Sequence, residues 1–359
     1  MPGIAGLPVV FGTQPASPPA LAASLLDQDF QYCAVPEQTA ATPFSYRNRL
    51  LNGDMRIDQR NVGAAQTITA GGSGVYTVDR WYAACTGANV TGQRVAGTGP
   101  HQYFYQFTGA ASVTGISFGQ RLEATDVYHM NGAPVMLSVF LANSLLTTVG
   151  WALYYPTATD NWAARTLITS GSFTVTSTPS LYTLPAVVTL PSNVTAGLEL
   201  ELTVGAQTSG TWTIGRAMLE PMPSGVIVAS PFERVDIVSE LARCQRYFEK
   251  SYPQGTAVGA SGATLLDLEG ICFNASDLYD GPTKAQFKVV KRNTSYTITL
   301  YNPSTGATGS FWDYNAVAAI GAATQAYTLS DTGFGIKSST ATLTAGHVVG
   351  VHWTASAEL

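Results

Sequence analysis

Two glutamates placed two residues apart are the pair in this sequence best suited to acid and base chemistry. Glu199 and Glu201 stand in the stretch GLELELTVGA, and on a β-strand such residues share a face with Cα atoms about 6.5–7 Å apart. That spacing overlaps the carboxylate separations that glycosidases use. Leu198, Leu200 and Leu202 form a plain apolar row on the other face, so the pattern favours a strand whose carboxylates lie in solvent.

The other candidates for catalysis or metal binding form no recognised arrangement. His101 and His129 are isolated, whereas His347 and His352 are five residues apart and fall on opposite faces of a strand. The four cysteines are far apart and form no CxxC pair, which favours isolated apolar side chains over a disulfide framework or a zinc site. No GxSxG, HExxH or phosphate-binding motif occurs. We therefore expect no catalytic residue, metal, cofactor or enzymatic activity.

Four aromatic residues cluster in the stretch GWALYYPTATDNW. They are Trp151, Tyr154, Tyr155 and Trp162. Exposed aromatic rings at the ends of strands are surfaces on which a sugar ring packs, which makes Trp151, Tyr154 and Trp162 candidate glycan-binding residues. The alternative is that these rings belong to the core and to a hairpin.

Charge is concentrated in RNRLLNGDMRIDQRN, residues 47–61, in a chain of which only 11% is charged. Alternation predicts a strand with Arg56, Asp58 and Arg60 on one face and apolar residues on the other. Opposite charges two residues apart favour ion pairs with a neighbouring strand or subunit. The three charged residues are therefore candidates for an oligomer interface.

A single helix is indicated in FERVDIVSELARCQRYFEKSY, and we assign it to residues 236–251. Its apolar positions recur at intervals of 4, 3 and 4 residues and are Ile237, Leu241, Cys244 and Phe248. Asp236 or Ser239 is placed to cap its N-terminus. Such a stripe must be buried, either on a neighbouring sheet or against copies of itself on a symmetry axis, so its residues are a second candidate oligomer interface.

The elements that would hold these residues are strands. The chain of 359 residues has 35 glycines, 19 prolines and 17 tyrosines, a composition typical of many short strands joined by tight turns. Strand signals recur over residues 47–235 and predict a β-sandwich or jelly roll. Strand signals return over residues 252–359 and predict a smaller C-terminal β domain. The helix would link this domain to the sandwich. The fold class is all-β.

Residues 1–46 differ from the rest because they carry seven of the 19 prolines and lack the apolar content of a core. They predict an extended arm that docks on another surface, or a disordered leader. The net charge of −5 argues against nucleic acid as a partner. We expect no secretion signal and no membrane insertion, because basic residues are absent from the start and no apolar run is long enough.

Three stretches resemble bacteriophage tail-fibre and related virion proteins. RLLNGDMRIDQRN, followed by YTVDRWYAA, resembles the start of their sandwich domain, and SPFERVDIVSELARCQRYFEKSY resembles the segment that closes it. GHVVGVHWTASAEL is similar to their carboxyl terminus. The resemblance spans residues 47–359, and the arm lies outside it.

The resemblance implies a non-enzymatic homotrimer in the virion, with a sandwich similar to carbohydrate-binding modules. We expect a tail fibre that joins other virion proteins through residues 1–46 and binds host surface polysaccharide. A head fibre or capsid decoration protein is the first alternative. A free carbohydrate-binding module and a glycan depolymerase are alternatives from other classes.

Overall fold

The computed structural model describes residues 46–262, 271–274, 283–320, 324–338 and 344–359. It confirms the all-β fold, because antiparallel strands make up most of its regular structure. The arm predicted for residues 1–46 lies, except for Tyr46, outside these ranges.

Thirteen strands form a β-sandwich in the first part of the chain. In chain order they are β1 (Gln66–Ile68), β2 (Val75–Tyr76), β3 (Tyr82–Thr86), β4 (Val90–Ala96), β5 (Tyr103–Thr108), β6 (Gly115–Leu122), β7 (Pro134–Asn143), β8 (Thr148–Ala158), β9 (Asn161–Thr174), β10 (Ser180–Thr183), β11 (Val188–Thr189), β12 (Leu198–Val204) and β13 (Thr211–Pro221). One sheet has the order β1-β4-β5-β13-β7-β10, with β11 also on β7, and the other has the order β2-β3-β6-β12-β8-β9. We call them the first and the second sheet.

The core lies between the two sheets and follows the alternation of the sequence. Leu198, Leu200 and Leu202 of β12 are fully buried in it, as their spacing predicts. Stacked rings fill its centre, with the Trp81 and Phe118 ring centroids 4.9 Å apart. This burial leaves the odd-numbered residues of β12 on the outer face of the second sheet.

Within the described ranges, two α-helices interrupt the strands, α1 (Ala124–Val127) and α2 (Ile237–Gln245). Short 3₁₀ turns occupy Tyr128–Met130 and Ser192–Ala196. The predicted N-cap of α2 is confirmed, because the Asp236 carboxylate accepts hydrogen bonds from the amides of Val238 and Ser239 at 3.1 and 2.8 Å. The predicted length is wrong, because α2 ends at Gln245 and the chain enters a strand three residues later.

The strands that follow α2 form a second lobe. They are β14 (Phe248–Lys250), β15 (Ile271–Asn274), β16 (Thr283–Gln286), β17 (Thr297–Tyr301), β18 (Phe311–Asp313), β19 (Ala318–Ile320), β20 (Thr324–Ser330), β21 (Gly333–Ser338) and β22 (Val348–Ser356). β22 pairs with four of them, β14, β15, β17 and β18. β16, β21 and β20 form a separate three-stranded sheet. Phe311, Phe334 and Trp353 belong to the core of this lobe.

Candidate functional site

The charged stretch 47–61 is a series of turns, so the strand predicted for it is wrong. The side chain of Asn52 closes the loop on itself: its Nδ2 donates to the Ile57 carbonyl at 2.7 Å, and its Oδ1 accepts from the Ile57 amide at 2.8 Å. Asn52 and Met55 both have positive φ, 53° and 60°, which a strand does not allow. These local hydrogen bonds compete with strand pairing and replace it here.

The charges of this loop find partners within the chain, so no interface between subunits is needed to pair them. Three ion pairs satisfy them: Arg56 with Asp54 at 2.6 Å, Arg94 with Asp58 at 3.7 Å, and Arg60 with Glu358 at 2.9 Å. The predicted ion pairing was right in kind. The partners all belong to the same polypeptide, one of them, Asp54, to the loop itself.

These contacts continue into a buried cluster that joins the sandwich to the second lobe, and we call it the junction. The Arg80 guanidinium pairs with the Glu358 carboxylate and lies 3.4 Å from the ring centroid of Tyr247. Gln59 donates to the Phe248 carbonyl at 2.8 Å and to the Asp79 carboxylate. The loop 47–61, Asp79, Arg80, helix α2, Tyr247, Phe248 and Glu358 make up the junction.

Asp79 is the most unusual acid in the junction. It is fully buried, and this burial raises its pKa to about 6, although Arg60 and the two hydrogen bonds from Gln59 oppose the rise. Its carboxylate accepts the Gln59 amide at 2.9 Å. Asp79 therefore gains a proton on mild acidification.

The apolar stripe of α2 does not form one continuous face. Cys244 is fully buried, and Phe248 lies in β14 beneath the guanidinium of Arg60, 3.6 Å from its ring centroid. Leu241 is half-buried, and Ile237 remains 46% exposed. Assigning Cys244 and Phe248 to a subunit interface is therefore wrong, because the junction of the same chain already covers them.

Glu199 and Glu201 point outward from the second sheet, as the alternation of β12 predicts, but solvent hardly reaches them. Glu199 is fully buried and Glu201 is 9% exposed. Side chains from neighbouring strands cover them: Arg165 pairs with both carboxylates, and Arg121 and the Tyr82 hydroxyl bond to Glu199 at 2.9 and 2.7 Å. The expected solvated face is therefore wrong. We call this group the sheet-face cluster.

The three aromatic residues assigned to glycan binding are separated by the structure. Trp151 is only 8% exposed and belongs to the sandwich core, so its assignment to an exposed platform is wrong. The Arg165 guanidinium lies over Tyr154, 3.9 Å from the centroid of its ring. The Arg121 guanidinium lies 5.4 Å from the ring centroid of Trp162. Both aromatic residues are half-buried on the sheet-face cluster. The alternation of β8 explains the separation, because it turns Trp151 inward and Tyr154 outward.

Tyr155, the next residue of β8, lines an open cavity of about 420 Å³ at the ends of the strands. Its polar lining consists of amides and hydroxyls: Asn131, Thr157, Ser192, Asn193 and Thr195. None of the described residues that line it is charged. We call it the strand-end cavity.

A glycine brings Trp162 close to the wall of this cavity. Gly197 has φ of 134°, and a Cβ atom there would lie 3.1 Å from the Trp162 ring and 3.2 Å from Pro156, which lines the cavity. The glycine therefore lets the indole pack beside the cavity wall. Of the three predicted aromatic residues, Trp162 is therefore the one that lies near both the sheet-face cluster and the strand-end cavity.

The aromatic segment singled out from the sequence does line this cavity, but through Tyr155 and not through the three rings assigned to glycan binding. Tyr155 could have been found from strand alternation, since the residue after an outward-facing Tyr154 must face the other way. The asparagines could not, because Asn131 and Asn193 lie in separate turns that only the fold brings to Tyr155.

Among the described residues, no group of three His, Cys, Asp or Glu side chains is arranged to hold a metal ion. Cys85 and Cys244 are buried free thiols. None of the described helices is long and apolar enough to cross a membrane.

Comparison with known proteins gives no family: no family model and no curated protein sequence matches this chain. Solved structures give weak likenesses. One, described as CBM4, is 16% identical and covers 48% of this chain and 98% of its own, with a TM-score of 0.32. The enzymatically active domain of tailspike protein 4 from bacteriophage CBA120 is also 16% identical and covers 49% of this chain but 22% of its own, with a TM-score of 0.32.

A third structure is TmCBM61 in complex with β-1,4-galactotriose. It is 11% identical and covers 49% of this chain and 99% of its own, with a TM-score of 0.29. TM-scores near 0.3 do not establish a relationship, and no function is transferred from them to this chain.

Proposed function

We propose that this protein is a structural component of a bacteriophage virion, a trimeric tail fibre attached through residues 1–46, and that its sandwich binds an uncharged glycan of the host surface. The observation that carries the glycan proposal is the strand-end cavity, in which one aromatic ring faces amides and hydroxyls without any charge among the described lining residues.

The chemistry of the cavity suits a sugar. A pyranose ring presents an apolar face that packs on an aromatic side chain, and hydroxyls around it that exchange hydrogen bonds with amides. The Tyr155 hydroxyl and the Asn131 amide make no side-chain hydrogen bond to any described residue, so both are available to a ligand. A volume of about 420 Å³ is within the range of small-molecule sites.

The junction supports a structural role for the chain. The stretches that resemble virion proteins meet there: Gln59 from the first contacts Phe248 from the closing segment, and Arg60 contacts Glu358 near the last residues. Residues with these contacts hold two lobes together. This favours a scaffold over an active site.

The sheet-face cluster supports a binding role over a catalytic one. A glycosidase needs one carboxyl group that donates a proton and one carboxylate that attacks or activates water. Here the Arg165 guanidinium binds both Glu199 and Glu201, and Glu199 also accepts from Arg121. Neither carboxylate is free to exchange a proton with a substrate.

The glycan proposal is tested with two neighbouring tyrosines. Binding of host surface polysaccharide fragments is measured by calorimetry for the unaltered chain, for Tyr155→Ala and for the matched control Tyr154→Ala. We expect Tyr155→Ala to weaken binding by about 1–3 kcal/mol and Tyr154→Ala to leave it unchanged. Equal affinity for Tyr155→Ala and the unaltered chain would exclude the cavity.

The virion proposal is tested separately, by electron microscopy of particles that carry the labelled chain. We expect the label on the tail. A label on the capsid would support the head-fibre alternative. Release of new reducing ends from the polysaccharide would instead favour a depolymerase.

A further inference from the structure

A third surface, on the outer face of the first sheet, is built around Arg216. The pairing of β13 with β7 shifts register between Gly215 and Met218, which marks a β-bulge. Arg216 lies in this bulge with φ of 44°, a conformation that costs energy for any residue with a Cβ atom. Bulges of this kind redirect a side chain and occur often beside functional sites.

The side chain of Arg216 is held between two rings. Its guanidinium carbon lies 5.4 Å from the ring centroid of Phe140 and 5.0 Å from that of Phe232. It makes no hydrogen bond or ion pair with any of the described residues. The rings fix its orientation and leave its five N–H donors for another partner.

A histidine stands beside the same ring. The ring centroid of His101 lies 4.2 Å from that of Phe140 and 5.1 Å from that of Phe104. Its Nδ1 atom is buried and has no hydrogen-bond partner in the described part of the chain. This atom is therefore not paired with Arg216 or Arg234, and the His101 ring packs on the same Phe140 side chain as the Arg216 guanidinium.

A second arginine makes this surface cationic. Arg234 has a side chain that is 52% exposed, and its nearest carboxylate is Asp54 at 3.6 Å. Asp54 already pairs with Arg56 at 2.6 Å, so this carboxylate is shared. Positive charge is therefore in excess here, in a chain whose net charge is −5.

The electrostatics of the groups agree with this excess. Burial lowers the pKa of His101, and the charges of Arg216 and Arg234 lower it further. The pKa of Arg216 is likewise lowered by burial and by Arg234, against a weaker opposing effect of Asp54. Like charges held together with one shared carboxylate create a potential that attracts an anion.

We propose that Arg216 and Arg234 bind the carboxylate of an acidic saccharide, with Phe140, Phe232 and the ring of His101 beside it. A guanidinium offers two parallel N–H donors that match a carboxylate. The choice of a saccharide rests on the proposed glycan-binding function. The site itself is separate from the strand-end cavity, so the chain would have an uncharged and an acidic binding surface.

The test compares tetragalacturonate with the neutral β-1,4-galactotetraose, each titrated into the full chain by calorimetry. We expect tetragalacturonate to bind, and Arg216→Met to weaken this binding at least tenfold while the neutral sugar is unaffected. Arg216→Lys keeps the charge but lacks the paired donors. Its affinity for tetragalacturonate should lie between those of Arg216→Met and the unaltered chain. The matched control is Arg243→Met, which removes an arginine that also lies beside a ring, 5.1 Å from Tyr46.

Thermal unfolding of each variant separates lost binding from lost folding, and Arg216→Lys carries the test if Arg216→Met fails to fold. Equal tetragalacturonate affinity in the Arg216 variant and the unaltered chain would overturn the proposal. Inorganic sulfate that binds as tightly as tetragalacturonate would also overturn it, since the site would then accept any anion. Failure of Tyr155→Ala to affect the neutral sugar would count only against the strand-end cavity.

Discussion

The junction and the sheet-face cluster are both made of arginines, carboxylates and aromatic rings, yet solvent reaches them to different degrees. In the junction the Arg80 and Glu358 side chains are 1% and 5% exposed. In the sheet-face cluster the Arg165 side chain is 31% exposed and pairs with two glutamates. Residue type alone therefore does not distinguish a cluster that fastens two parts of the chain from one that lies at the surface.

The difference follows from what lies over each cluster. The junction is covered by a second part of the same chain, since Tyr247 and Glu358 follow the sandwich in sequence. Among the described residues, those that cover the sheet-face cluster are its own long side chains. An ion pair that is screened by water contributes little to stability. When a buried ion pair loses one partner, the other is left as an uncompensated charge.

The largest effect is expected from Arg80→Met. This change leaves the buried carboxylate of Glu358 with Arg60 alone and removes the guanidinium from the Tyr247 ring. We expect a loss of about 3–5 kcal/mol in the free energy of unfolding, measured by urea denaturation. A loss below about 1 kcal/mol would mean that the junction does not fasten the lobes.

A pH dependence centred on Asp79 should come next in size. Its pKa is 3.8 ordinarily and about 6 when folded, so the folded state holds the proton more tightly. The stability that this proton contributes is present below pH 4 and is lost as the pH rises to about 6, by at most about 3 kcal/mol. Urea denaturation from pH 4 to 7 measures it.

Asp79→Asn is the control for this pH dependence, because an amide does not titrate in the range. The difference in unfolding free energy between the unaltered chain and the variant should fall from pH 4 to 6 and stay level above. A difference that is constant with pH would show that Asp79 has an ordinary pKa.

A smaller loss is expected from Arg165→Met on the sheet face. Glu199 keeps two partners after the change, Arg121 and the Tyr82 hydroxyl. We expect the free energy of unfolding to fall by about 1–2 kcal/mol, less than for Arg80→Met. Equal losses for the two variants would remove the contrast between the clusters.

The smallest effect is expected from Tyr155→Phe in the strand-end cavity. This change removes one hydroxyl, which has no side-chain partner among the described residues, so the melting temperature should stay the same. Glycan affinity should fall by about 0.5–1.5 kcal/mol, the usual worth of one hydrogen bond. A drop in melting temperature with unchanged affinity would assign the hydroxyl a structural role instead.

How far the sequence predicts this structure depends on the range of the interactions. The alternation of β12 and the cap at Asp236 were predicted because neighbours in sequence determine them. The burial of Glu199 was missed because its cover comes from Arg121 and Arg165, which lie 78 and 34 residues away. No local pattern records such partners.

The loop 47–61 shows the opposite failure. Its alternation is a true strand signal, but the Asn52 side chain bonds to the backbone of Ile57 and holds the chain in turns instead of a strand. Its charges were correctly expected to seek partners. Only the fold shows that Glu358, 298 residues from Arg60, is one of them.

The central position of β22 has a consequence for biosynthesis. β14 ends at Lys250 and its partner β22 begins at Val348, so a ribosome must add about a hundred residues between them, which takes roughly 5–20 seconds. During that interval the sandwich can already fold. The strands β14, β15, β17 and β18 still lack β22, which pairs with all of them. Nascent chains are therefore most prone to aggregate late in translation, and a chaperone would protect them best in that interval.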